Sequence, residues 1–181
     1  MRAPLALACV ALLVACAPAL ELPVPDGPTF ESEQVRFVAP TGWEIRRPAA
    51  GSPDLDQIVA YLANQPLHQE CREVGTEISC GSPLADGLRA GGMLVVWAVR
   101  PCVAQFCALP SESLIAVGNR QGVLASTSSG CEGTGFTERS AYHVTVTPQR
   151  VDILLVCARD PSNATRSAFL GFLDAIRWRI P

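Results

Sequence analysis

The sequence predicts an α+β domain: a largely antiparallel β-sheet with helices packed on it, stapled by disulfides. Three observations carry that expectation. Short runs alternate apolar and polar residues with period 2, as half-buried strands do: "QVRFV" at 34–38, "WEIR" at 43–46 and "AYHVTV" at 141–146. Two longer stretches switch to the helical period. Six cysteines, Cys71, Cys80, Cys102, Cys107, Cys131 and Cys157, follow a leader with the marks of export, where an even count implies disulfides. Composition agrees, since 181 residues suit one domain, and 49% hydrophobic with 17% charged residues is normal for a folded globule.

Residues 1–15 read as a signal peptide. Arg2 gives one positive charge, and an apolar run to Ala15 follows. The run is too short for the ~20 residues that cross a bilayer, and Pro18, Glu21 and Pro23 end it. Leu13-Val14-Ala15-Cys16 resembles the bacterial lipobox. The resemblance implies that Cys16 is alkylated by diacylglycerol, becomes the mature first residue and is acylated again on its new amine. Two or more acyl chains anchor stably where one holds only marginally. In the sorting pattern of two-membrane bacteria, Ala17 after the cysteine favours the outer membrane. Residues 16–28 hold four prolines in "APALELPVPDGP" and read as an extended tether, leaving 29–181 as a single domain.

Within that domain, Val35 and Phe37 face one side, "APTG" turns, and Trp43 and Ile45 return, which predicts a β-hairpin. In "SPDLDQIVAYLANQP", Leu55, Ile58, Val59 and Leu62 fall at i, i+3, i+4 and i+7, which predicts a helix capped by Asp54. The D-x-D of Asp54 and Asp56 reads as cap and first-turn carboxylate rather than as a metal site. "MLVVWAV" at 93–99 is apolar throughout and reads as a central strand. A short helix capped by Ser111 and a strand "GVLAST" are expected next. "AYHVTV" and "VDILLVCA" predict a hairpin with Val146 opposite Val151, Val144 opposite Ile153 and Tyr142 opposite Leu155. The chain closes with a helix presenting Phe169, Phe172, Leu173 and Ile176, capped by Ser162 or Asn163, then a short strand with Trp178 inward.

The order of elements resembles the PsbP-like fold, including small bacterial lipoproteins of the LpqN and DcrB kind. "VRFVAPTGWEI", "AYHVTVTPQRVDILLVCA" and "FLGFLDAIRW" carry the likeness across residues 34–180. It implies a domain that binds or supports partners and has no shared catalytic residues.

The simplest disulfide pattern joins neighbours: Cys71–Cys80, Cys102–Cys107 and Cys131–Cys157. The third is in tension with the predicted hairpin. If Cys131 ends the strand beyond 140–146, two strand spacings of about 4.8 Å separate it from Cys157, and a disulfide needs Cα atoms within about 6.8 Å. Either Cys131 leaves the ladder and curls over, or the pairing differs. Zinc at His68, Cys71 and Cys80 lacks the paired C-x₂₋₄-C knuckles of structural sites, so no metal or other cofactor is expected.

Net charge is -3 and no basic run tracks a phosphate backbone, which argues against nucleic acid. His143, Asp152 and a serine of "STSSG" could be imagined as a hydrolytic set, but no nucleophile elbow accompanies them, and His143 with Asp152 reads as a solvated polar sheet face. The leading expectation is a non-enzymatic cell-envelope lipoprotein, held to the membrane through Cys16 and docking an envelope protein partner. A small-molecule or lipid ligand between helix and sheet is the alternative, and a secreted hydrolase the third. Recognition is expected on the glycine-containing loops 81–92 and 128–138, with Arg89, Glu132 and Phe136 as contacts.

Overall fold

Among the described residues, seven antiparallel strands form the main sheet, in the order β3 (Glu44–Arg46), β4 (Ile58–Ala63), β7 (Met93–Pro101), β11 (Arg150–Ala158), β10 (Glu138–Thr147), β9 (Arg120–Ala125), β8 (Leu114–Val117). The computed structural model describes residues 22–48, 57–68, 70–80, 83–84, 87–101 and 114–179. Cys16, Cys102, Cys107, the Asp54/Asp56 pair and the Ser111 cap lie outside them. A small sheet of β1 (Thr29–Glu31), β2 (Val35–Val38) and β12 (Arg177–Trp178) lies over one face, beside the helix α1 (Asn163–Ala175). A separate hairpin pairs β5 (Cys71–Val74) with β6 (Glu77–Cys80). The protein is therefore a β-rich α+β fold. Among the described residues it has one helix rather than several.

Two expected helices are replaced by strand where the residues are described. Ile58–Ala63 is apolar at every position and rich in β-branched and aromatic residues, so its helical spacing is equally that of a buried strand. Tertiary pairing decides: β4 lies between β3 and β7, with Ala60 to Ala63 all buried. Leu114–Val117 likewise pairs with β9 across the Gly118-Asn119 turn. The expected 34–46 hairpin is also corrected. The turn forms, with the Trp43 amide donating to the Pro40 carbonyl at 3.1 Å. It passes the chain from the small sheet to the large one, because β1 and β12 occupy both edges of β2.

The large sheet has an apolar core on each face. On the front, Trp97, Val95, Leu62 and Leu154 pack under Phe30, Val35 and Phe37 of the small sheet and Phe172 of α1. Phe37 stacks between Phe30 and Trp97, at 4.8 and 5.2 Å, and meets Phe172 edge-on. On the back, Tyr61, Leu94 and Cys157 are covered by Leu67, Leu84, Leu88 and Cys131 from loops. The closing helix is as expected: Ser162 caps it, accepting from the Thr165 amide at 3.1 Å, and Phe169, Phe172 and Leu173 are buried. Trp178 is buried and Arg177 exposed.

The β10–β11 hairpin exists, but its register is shifted from the expected one. Thr147 pairs with Arg150 and Thr145 with Val151, which leaves Val146 as an extra residue, a β-bulge. Every pair beyond it moves by one: Val144 opposes Asp152, Tyr142 opposes Leu154, and Arg139 rather than Ser140 opposes Cys157. Thr145 and Val146 thus share one partner position. Asp152 is thereby turned to the front face, the opposite of the expected solvated one.

Candidate functional site

The two glycine-containing loops meet on the back of the sheet. The Leu88 amide donates to the Thr134 carbonyl at 2.7 Å, and Leu88 is buried beneath the contact. Thr134 is itself buried and donates its hydroxyl to the Cys131 carbonyl at 2.7 Å. Cys131 is bonded to Cys157 of β11, with Cα atoms 5.7 Å apart and no exposure at either residue. Cys131 has left the ladder and curled over, the first of the two alternatives the spacing allowed. The disulfide pins the 126–137 loop to the central sheet, and the loop in turn holds 87–92.

Three side chains complete the pinning. Gln65 donates to the Gly87 carbonyl at 2.9 Å and accepts from the Arg89 amide at 3.1 Å. Asn64 donates to the Gly91 carbonyl and accepts from the Met93 amide, at 2.9 and 2.7 Å. Arg159 donates to the Leu88 carbonyl at 3.0 Å, and its backbone pairs with Gly91 and Gly92. Gly92 is required, because a Cβ there would lie 2.7 Å from the Arg89 backbone carbonyl oxygen. Sequence reasoning placed Asn64 and Gln65 at a helix end and so missed them. The available signal was a polar pair closing an apolar run before Pro66, which suits the exit of a buried strand.

The expected contacts all fall on this paired-loop surface, and they differ in freedom. Arg89 is exposed and immediately follows the Leu88 contact. Glu132 is exposed, and its carboxylate accepts from the Gly130 amide at 2.7 Å. Backbone N–H bonds from its own residue and from Gly130 hold that carboxyl below the usual range. Phe136 is half-buried against the back core, with the Arg139 guanidinium 5.2 Å over its ring.

The imagined hydrolytic set is not assembled. His143 lies on the back face between Val123 and Ile153, half-buried, and burial followed by the nearby Arg100 charge lowers its pKa. Asp152 lies on the front face, fully buried. Its Oδ2 accepts from Trp97 Nε1 at 2.9 Å, Trp178 Nε1 at 3.2 Å and an Arg150 nitrogen at 3.0 Å, while Oδ1 accepts from Arg150 Nε at 2.6 Å. Both its oxygens accept structural bonds, so this carboxylate ties layers together. The zinc alternative also lapses, because Cys71 and Cys80 are bonded to each other across β5 and β6. His68 lies exposed beside Glu70, 3.6 Å away.

Elsewhere among the described residues lie a groove and a cleft. A groove of ≈ 250 Å³ runs between α1 and the sheet, floored by Met93, Tyr142, Val156 and Phe169, with the Glu138–Arg166 ion pair at its rim. A wider cleft of ≈ 470 Å³, open to solvent, lies beside Ser32, Glu33, Arg47 and Arg150. Small-molecule pockets typically enclose about 300–1,000 Å³ and are mostly apolar. The groove is small by that measure and the cleft is open and polar. No family model, curated protein or solved structure matches the chain.

Proposed function

We propose that this chain is a non-enzymatic cell-envelope lipoprotein, anchored through Cys16, whose loops 81–92 and 128–138 recognise an envelope protein. One observation supports the reading above the others. Two loops distant in sequence are bonded to each other and to a buried disulfide, so exposed residues such as Arg89 and Glu132 sit on a rigid mount. Rigid mounting reduces the ordering cost of binding, and polar loop surfaces on such scaffolds commonly carry recognition. A PsbP-like classification belongs to the same proposal. It accords with an antiparallel sheet carrying a C-terminal helix.

The ligand-binding alternative keeps one supporting observation, the apolar floor of the α1 groove. Its volume sets it second.

The test is site-specific photo-crosslinking in intact envelopes. A photoreactive residue replaces Arg89 or Glu132, with Arg72 on the outlying hairpin as control. The reading expects the same discrete adduct from both loop positions and none from position 72. No adduct at either loop position, with the protein folded and membrane-bound, refutes it. The anchor is checked separately: Cys16→Ala should block processing at the Ala15–Cys16 bond, and an unmodified Cys16 in the wild-type intact mass refutes lipidation.

A further inference from the structure

We infer that the exposed face of the small sheet docks on an anionic lipid surface, so that the loops on the opposite side of the molecule point away from the membrane. The inference rests on the Cys16 anchor proposed above. Its first ground is the run of arginines on that face, which a single glutamate, Glu31 opposite Arg36 on β1, only partly offsets. Arg36 of β2 and Arg177 of β12 are directly paired neighbours, both exposed. Like charges directly opposite on a sheet destabilise it.

The face is rich in further cations. Arg179 follows on the same strand end, while Arg47 stands at the sheet's edge, over the inward-facing Phe30 ring, and donates to the Glu31 carbonyl at 3.0 Å. Glu31 lies directly opposite Arg36 and is bonded to Arg179 at 2.7 Å. That bond, and then the charges of Arg179 and Arg36, hold its carboxyl below the usual range. Arg177 turns its guanidinium onto the Asp174 and Ile176 carbonyls at the end of α1, bonds that leave its charge uncancelled by an acid. Glu33 and Asp174 stand at the rim. In a chain of net charge -3, this face thus carries three arginines against one glutamate.

The second ground is where the chain enters. Pro23 lies against α1, for a Cβ on Gly171 would collide with the Pro23 carbonyl oxygen. The tether thus arrives on the front layer, the layer that holds the arginines. However residues 17–21 run, the stretch from Cys16 to Leu22 reaches at most about 20–25 Å. A lipidated Cys16 therefore tethers the domain to the headgroups from its front layer. Charge complementarity and a short leash together select the anionic lipid surface as occupant. The loops 87–92 and 126–137 cover the back core, across the sheet from the arginines, and remain free for a protein partner.

The test uses the full lipidated protein in vesicles of phosphatidylcholine, with or without phosphatidylglycerol. An arginine-specific reagent is applied, and labelling is read residue by residue by mass spectrometry. Each arginine near an anionic surface gains about fivefold in local association. Arg36 is therefore expected to be labelled at least fivefold more slowly on phosphatidylglycerol vesicles, while Arg72 and Arg89 are unchanged. About 1 M salt, where the Debye length is about 3 Å, should abolish the protection. Arg36→Glu, with Arg36→Gln as a milder variant, should release Arg179 from protection while circular dichroism stays native. Equal labelling of Arg36 on both vesicles, or protection of Arg89 instead, overturns the inference. So does protection only in native membranes, which would assign the face to a protein. If intact mass shows no lipid on Cys16, the anchor reading fails on its own, and the same labelling with added phosphatidylglycerol vesicles still decides the basic face.

Discussion

Removing the Asp152 carboxylate should be among the most destabilising single changes available. Asp152→Ala leaves the Arg150 guanidinium, whose side chain is 14% exposed, without its counter-charge. It also strands two indole N–H groups in the front core. Breaking a buried pair by deleting one partner costs about 3–5 kcal/mol, and each stranded buried donor adds about 1–3 kcal/mol before relaxation. A net loss of about 4–5 kcal/mol is expected, allowing that Arg150 swings toward the open cleft it borders. Asp152→Asn keeps an acceptor for the indoles but turns an amide toward the guanidinium fork, so a smaller loss of about 2–3 kcal/mol is expected. Trp178→Phe removes one donor and leaves the carboxylate with its other partners. Its polar cost is about 1 kcal/mol, with a modest packing loss.

The assay is urea unfolding followed by tryptophan fluorescence, read as midpoint shifts at constant slope. The predicted order of cost is Asp152→Ala, then Asp152→Asn, then Trp178→Phe. An Asp152→Ala loss below about 1 kcal/mol would refute the network. So would Trp178→Phe costing as much as Asp152→Ala, since the charge would then contribute nothing. The pair Arg150→Met with Asp152→Leu separates stability from specificity. Apolar replacement of a whole buried pair is often neutral, so that double variant should recover the part of the loss that comes from the unpaired guanidinium, while the cost of the two unbonded indoles remains.

Replacing Cys131 and Cys157 together by alanine should cost about 3.5 kcal/mol by chain entropy for a separation of 26 residues, against about 2.6 kcal/mol for Cys71–Cys80 with a separation of 9; calorimetry on the two double variants checks the order. Because Cys71 is exposed and Cys131 and Cys157 are wholly buried, mild reductant followed by alkylation should label Cys71 and Cys80 first. His143 carries a pKa lowered by burial, so between its folded and unfolded values the unfolded chain binds more protons and stability rises with pH. Stability should therefore fall on acidification from about pH 6.5 downward, and His143→Gln should flatten that slope in urea titrations. Gln65→Ala should lower stability by about 1–2 kcal/mol and raise amide exchange at Leu88 and Arg89, seen by hydrogen exchange.

Much of the sheet was legible in the sequence because its strands are either alternating or wholly apolar. Met93–Pro101 was readable as central since nothing else buries seven apolar residues in a row on both faces. The same continuity misled at Ile58–Ala63, where an unbroken apolar run matches every period and only the neighbours β3 and β7 settle it. The one-residue bulge at Val146 was not legible, because both registers bury a run of valines, and the deciding difference is where Asp152 finds donors. Those donors, Trp97 and Trp178, lie 55 and 26 residues away. The loop surface was readable in place but not in mechanism. Glycines and cysteines marked Arg89, Glu132 and Phe136, whereas the anchors Asn64, Gln65 and Arg159 act through contacts up to 71 residues apart.

The bulge, the buried carboxylate and the basic face form one chain of cause. Shifting the register by one places Asp152 where it can hold Trp178, and Trp178 belongs to a strand of only two residues. Besides β2, β12 is held by Asn119, which accepts from the Trp178 amide at 2.8 Å and donates to its carbonyl at 2.9 Å. That attachment must resist the repulsion between Arg36 and Arg177, which β12 itself brings together. A two-residue strand bearing a like-charge pair would fray if it relied on its ladder alone. With its tryptophan bonded to a buried charge, it can present that pair to solvent without leaving the sheet. Weakening Asp152 should therefore loosen β12 before the rest of the fold, so that amides at Arg177 and Arg179 exchange faster in Asp152→Asn while those of β7 and β11 do not. Uniform acceleration across all these strands would show instead that the small sheet and the large one open as a single unit.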